Sequence, residues 1–239
     1  MISHPTTIHD LLMRLSLASL LLAAIVSRAH AQTPRDLTPF LIPDRAAEVA
    51  LARSAAPAAV SDPATVLVLT RQGYVEAAKG TNGFTCLVVR AFGGPMDSTT
   101  WGQWKVRAPH CLNPAAVRSI LPDITLRSQL IAAGTPAAEV ERRMHAEYAS
   151  GRIPAAAPGA MAYMMSPDQY LSDAAPHWLP HVMYYYGPEH HAAEFGAGDV
   201  GAPVILGGAD ERGVVIFIPT PRWSDGTPAG VSNPAPAGR

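Results

Sequence analysis

The chain has 239 residues, with 18 Lys and Arg against 19 Asp and Glu, for a formal net charge of −1. Lys79 and Lys105 are its only lysines and the arginines are scattered, so it lacks the basic patch of a nucleic-acid binder and no nucleic-acid partner is expected. The length suits one domain around one sizeable core.

At the N-terminus, Arg14 stands ahead of an apolar run from Leu15 to Val26, and small residues follow at Ala29 and Ala31. That pattern predicts a secretory signal peptide over residues 1–31, cut before Gln32. The run falls short of the about 20 apolar residues that cross a bilayer. No cysteine stands near the cut to carry a lipid. The expectation is a secreted or periplasmic protein without a stable membrane anchor. Residues 32–43 are polar and contain proline, and read as a linker. A single domain is then expected over 44–223, and a disordered tail over 224–239, where turn formers occur without apolar periodicity.

Within the domain, Asp44 can cap a helix running to about Ser54, with Pro57 as its stop. Two extended runs, Thr65 to Thr70 and Tyr74 to Ala78, are separated by Arg71-Gln72-Gly73 and predict a β-hairpin. "FTCLVVRAF" is a third strand, and a loop follows from Gly93 to His110. Asn113-Pro114 and Thr135-Pro136 each read as an N-cap followed by proline at the first helical position. The first opens a helical stretch interrupted at Pro122 and closed near Gly134. The second opens a helix closed near Gly151, with Ala137, Val140, Met144 and Tyr148 as its apolar stripe. "AMAYMM", "HVMYYY", "PVIL" and "VVIFIP" are strands again. Strands, helices, then strands predict an α+β fold: a mainly antiparallel sheet of about six to seven strands with helices packed on one face.

Cys86 and Cys111 are the only cysteines. In an exported chain an even count reads as a disulfide, and their spacing is not that of a C-x-x-C redox motif. The Gly-x-Ser-x-Gly elbow, the Walker loop, the dinucleotide fingerprint and His-Glu-x-x-His are all absent from the sequence. Ser166 and Asp168 remain as polar groups that a histidine would have to meet in space for metal-free catalysis. As a local sequence, Ser-Pro-Asp is turn chemistry.

"PHWLPHVMYYYGPEHH" raises a sharper question, since it carries four of the nine histidines. Pro180 and the β-rich residues after it argue against a helix that would bring His177 and His181 together. On an extended strand the two are about 13 Å apart, and His181, Met183 and Tyr185 share one face while Val182, Tyr184 and Tyr186 share the other. Gly187-Pro188 and Gly196 bracket a short helical turn that would pair His190 with Glu194 at i, i+4, with His191 in reach. A zinc site built from His177 and His181 with His190 or Glu194, which would require a bend at Leu179-Pro180, is one reading, as is a softer copper site that adds Met161, Met164, Met165 and Met183 to His177 or His181.

"KGTNGFTCLVVR", "PGAMAYMMS", "HWLPHVMYYY" and "RWSDGT" together resemble a family of exported bacterial proteins with no established activity. The likeness spans Thr65 to Thr227. It implies one secreted domain and transfers no catalytic residue.

Two functional readings stay open, so the sequence does not decide whether the protein is an enzyme. The first is a non-catalytic domain without a cofactor that binds a small, partly apolar molecule among Tyr163, Trp178, Tyr184, Tyr186, Trp101 and Trp104. The second is a zinc hydrolase using the clustered histidines. Oligomeric state is not legible in the sequence.

Overall fold

The structure, a computed structural model, describes residues 36–93, 103–173, 177–196, 204–207 and 213–229. The strands are β1 Thr65–Thr70, β2 Gly73–Ala78, β3 Thr85–Val89, β4 Ala108–Leu112, β5 Met161–Met164, β6 His181–Tyr186, β7 Val204–Gly207 and β8 Val214–Pro219. They form one eight-stranded sheet in the order β2-β1-β3-β4-β5-β6-β8-β7. Every neighbouring pair is antiparallel except β1 with β3. The helices are α1 Arg45–Arg53, α2 Ala58–Ser61, α3 Pro114–Ser119, α4 Leu121–Ala132 and α5 Ala137–Ala149. The fold is α+β and mainly antiparallel, as the element order predicts, with eight strands in place of six to seven.

Local chemistry accounts for most of these boundaries. Asp44 caps α1 by accepting from the amides of Ala46 and Ala47, which satisfies donors that have no partner within the helix. Asn113 does the same for α3 through the amide of Ala116. Gly73 closes the β1–β2 hairpin at a φ of 106°, a conformation that costs glycine nothing. Gly213 enters β8 at a φ of 85°, where an added Cβ would lie 2.1 Å from the Tyr186 carbonyl oxygen.

β3 is buried at all five positions, and a strand that is apolar on both faces needs cover on both. Leu87 and Val89 pack with Leu112, Ala116, Ile124, Ala162 and Met164 on the side of α3 and α4. A neighbouring cluster adds Leu69, Leu130, Val140 and Met144 from β1, α4 and α5. Cys86, Val88 and Cys111 pack instead with Ala52, Ala55 and Val66, under α1. Most of the helical mass thus covers one face, here called the α3 face, while α1 adds a layer to the other, the α1 face. A buried ion pair ties α1 to the sheet: Glu48 Oε1 accepts from Arg90 Nη2 at 2.9 Å and from the Leu69 amide at 3.0 Å.

Several expectations need correction. Within the expected linker, Leu37 and Phe40 are buried and pack on Phe92 and Ile131, so the domain starts ahead of Asp44. Within the expected tail, the Ser224 amide donates to Met165 O at 2.9 Å and its hydroxyl to Ser54 O at 2.6 Å, so the ordered fold runs past Trp223. Pro136, not Thr135, is the N-cap of α5. The expected loop from Gly93 to His110 ends in β4. The expected signal peptide, residues 1–31, lies outside the described residues.

Candidate functional site

β6 carries the expected alternation. Its register with β5 sets His181 opposite Met164, Val182 opposite Tyr163, and Met183 opposite Ala162. Met183, Ala162 and Met164 belong to the cluster under α3 and α4. This places His181, Met183 and Tyr185 on the α3 face, and Val182, Tyr184 and Tyr186 on the α1 face.

His181 is 1% exposed. Its Nδ1 lies 2.7 Å from the Leu179 carbonyl; a carbonyl only accepts, so Nδ1 carries the proton and Nε2 keeps its lone pair. That Nε2 is buried with no hydrogen-bond partner among the described residues. The Trp178 and Phe217 rings stand 4.6 and 5.3 Å from the imidazole. Burial pushes the His181 pKa down to about 4, which leaves the ring neutral at pH 7. Beside it, Gln169 donates from Nε2 to Trp178 O at 2.7 Å and its Oε1 is likewise buried without a partner among the described residues.

His110 is the neighbour of Cys111 in sequence. It lies on β4 opposite Leu87, again on the α3 face, and its Nδ1 is 2.8 Å from Ala108 O. Burial lowers its pKa as well. The period-two pattern of Ala108, His110 and Leu112 was the available signal, obscured by Pro109 between them.

The other clustered histidines lie elsewhere. His177 is exposed, with its ring 6.3 Å from that of Trp223. His190 and Glu194 do meet, Nδ1 to Oε2 at 3.1 Å. Glu194 also accepts from the His191 amide at 2.9 Å. This arrangement caps the 3-10 turn Ala192–Phe195, and the hydrogen bond from His190 holds the Glu194 carboxyl below its ordinary range. His190 packs against Tyr186, at the opposite end of β6 from His181. The four residues His177, His181, His190 and Glu194 are therefore not drawn to one point. No group of three or more His, Cys, Asp or Glu side chains among the described residues has an arrangement that would hold a metal.

The aromatic candidates divide between surfaces. Tyr163, Tyr184 and Tyr186 belong to the α1 face by register, and Tyr163 contacts Phe84. Trp178 covers His181 on the other face. Trp101 lies outside the described residues. Trp104 is 49% exposed and lines a cleft of about 300 Å³ between residues 103–106 and 170–173. Backbone bonds of 2.7 and 2.8 Å between Arg107 and Tyr170 hold its two walls together. Val106 and Leu171 give it an apolar floor, continuous with the cluster that contains Met164 and Met183. At its rim Lys105 Nζ sits 3.0 Å from Asp173, and the Tyr170 hydroxyl donates to the same carboxylate. Those two hydrogen bonds, from Tyr170 first and then Lys105, lower the Asp173 pKa.

Ser166 Oγ pairs with Ser54 Oγ at 2.6 Å and accepts from the Asp168 amide at 3.1 Å. No histidine is among the described partners of that hydroxyl, so Ser166 and Asp168 are not drawn into a Ser-His-Asp relay there. The two cysteines form the Cys86–Cys111 disulfide between β3 and β4. Among the described residues no helix is long and apolar enough to cross a membrane. Compared with known proteins, the chain matches no family model, no curated protein and no solved structure.

Proposed function

We propose that this is an exported, non-catalytic domain that binds a small, partly apolar molecule in the cleft walled by Trp104 and Tyr170. One observation carries the reading: Trp104, 49% exposed, lines one cleft with the apolar Val106 and Leu171, the Tyr170 hydroxyl and the Lys105–Asp173 ion pair. Tryptophan is highly buried on average. An exposed ring beside convergent polar groups is the usual make-up of a small-molecule site, and about 300 Å³ is at the small end of the range such sites occupy. A planar ligand would stack on the indole, while Lys105, Asp173 and the Tyr170 hydroxyl would fix a polar substituent. The expected outcome is ligand-dependent quenching of tryptophan emission that disappears in Trp104→Ala.

The disulfide supports export, since such bonds persist in oxidising compartments. Protein recovered from the periplasm or medium of an expressing bacterium should begin at Gln32 by intact mass. Full-length protein confined to the cytoplasm would count against export.

A further inference from the structure

We propose that His110, Met164 and His181 form a binding site for one soft monovalent metal ion, Cu(I), on the α3 face of the sheet. The three residues sit on consecutive strands. Met164 is registered opposite His181, and the antiparallel pairing of Cys111 with Tyr163 sets His110, the residue before Cys111 on β4, beside Met164, the residue after Tyr163 on β5. Two strand spacings, about 9–10 Å between backbones, are a span that two imidazoles and an intervening thioether can close. Each imidazole is tethered through Nδ1 to the carbonyl two residues before it, Ala108 O and Leu179 O. Metal-binding histidines are characteristically oriented through the second nitrogen in this way, which leaves Nε2 as the ligand atom.

The buried, unpartnered Nε2 of His181 is the observation that points to a ligand. A buried acceptor with no donor costs stability, and a cation would satisfy it. The partnerless Oε1 of Gln169, whose amide is bonded to Trp178 O, is a second buried acceptor in the same neighbourhood. Both histidines have lowered pKa values, so each is a neutral donor at pH 7. Burial is the main cause of the lowered His181 pKa, and electrostatic repulsion from His110 adds to it. Two imidazoles and a thioether select a soft ion over Zn(II), Mg(II) or Ca(II). The cysteines offer no competing thiolate, because both are in the disulfide. His110 is only partly buried and gives the ion its way in.

The test is anaerobic titration of the metal-free full chain with Cu(I) in competition with bicinchoninate. One ion per chain should be withdrawn from the chelator. Met164→Leu, which keeps volume and apolarity, should weaken binding at least tenfold, and His181→Asn should do so as well. His177→Ala combined with His190→Ala and His191→Ala should leave it unchanged. Because a core variant can misfold, ¹⁵N NMR of the wild-type imidazoles gives an independent readout: Ag(I), a redox-inert stand-in, should shift the Nε2 signals of His110 and His181 and no other histidine. Failure to compete with bicinchoninate, equal affinity in Met164→Leu, or Ag(I) shifts confined to the surface histidines would each overturn the assignment.

Discussion

His181 shows how a single buried imidazole couples the fold to pH. Its pKa falls to about 4 in the folded state because the charged form is desolvated, whereas an unfolded histidine titrates near 6.5. Between those values the unfolded chain binds more protons, so stability rises with pH across the window and is lost as pH falls through it. Above about pH 6.5 the full stability is present. Going from pH 7 to pH 4.5 should remove about 2–3 kcal/mol through this one residue, with His110 acting in the same direction. Urea unfolding of the metal-free protein at the two pH values measures the loss, and His181→Phe should reduce it by that amount. A slope unchanged in His181→Phe would show that the imidazole is not desolvated as described. The face of His181 was legible in the sequence, because Pro180 excludes a helix and the strand period is two. Its orphaned Nε2 was not, since that depends on Leu179, Trp178 and Phe217 closing around the ring.

At the scale of elements, signals that act within a few residues were readable: the caps at Asp44 and Asn113, the hairpin at Gly73, the turn closed by Gly196. Pairings between distant segments were not. The parallel contact of β1 with β3 leaves no mark in either strand, and β4 is disguised by Pro109. Leu37 and the short run Phe40-Leu41-Ile42 stand among polar residues and prolines, and Leu37 and Phe40 show as core only when Phe92 and Ile131 arrive beside them. The disulfide is the covalent counterpart of such a long-range pairing, joining β3 to β4 at directly opposed residues. Closing a loop of 25 residues restricts the unfolded chain and contributes about 3 kcal/mol in the chain-entropy account. Cys86→Ala with Cys111→Ala should lower the unfolding free energy by about that much in chemical denaturation. A loss under about 1 kcal/mol would mean that the β3–β4 pairing is already held by its hydrogen bonds and by packing against Ala52 and Val66.

For the whole molecule, the sheet separates its chemistry into distinct places. The α3 face holds His110 and His181 with Met164 and Met183, the turn after β6 holds the His190–Glu194 pair, and the 103–106 and 170–173 segments hold the cleft. The sequence brought the four histidines and the aromatic residues together because they are close along the chain; the strand alternation and the Gly187-Pro188 break then part them. Trp104 was among the aromatic candidates in the sequence, but its cleft was not legible there, since the two walls are joined by the bridge between Arg107 and Tyr170, two residues far apart in sequence. Whether this exposed indole is the proposed ligand contact is decided by tryptophan emission during titration with a panel of small planar and partly apolar compounds. Saturable quenching by at least one compound class is expected in the wild type, absent in Trp104→Ala with the fold intact by circular dichroism. Saturable quenching that survives in Trp104→Ala, or none from any compound in the panel, would contradict it.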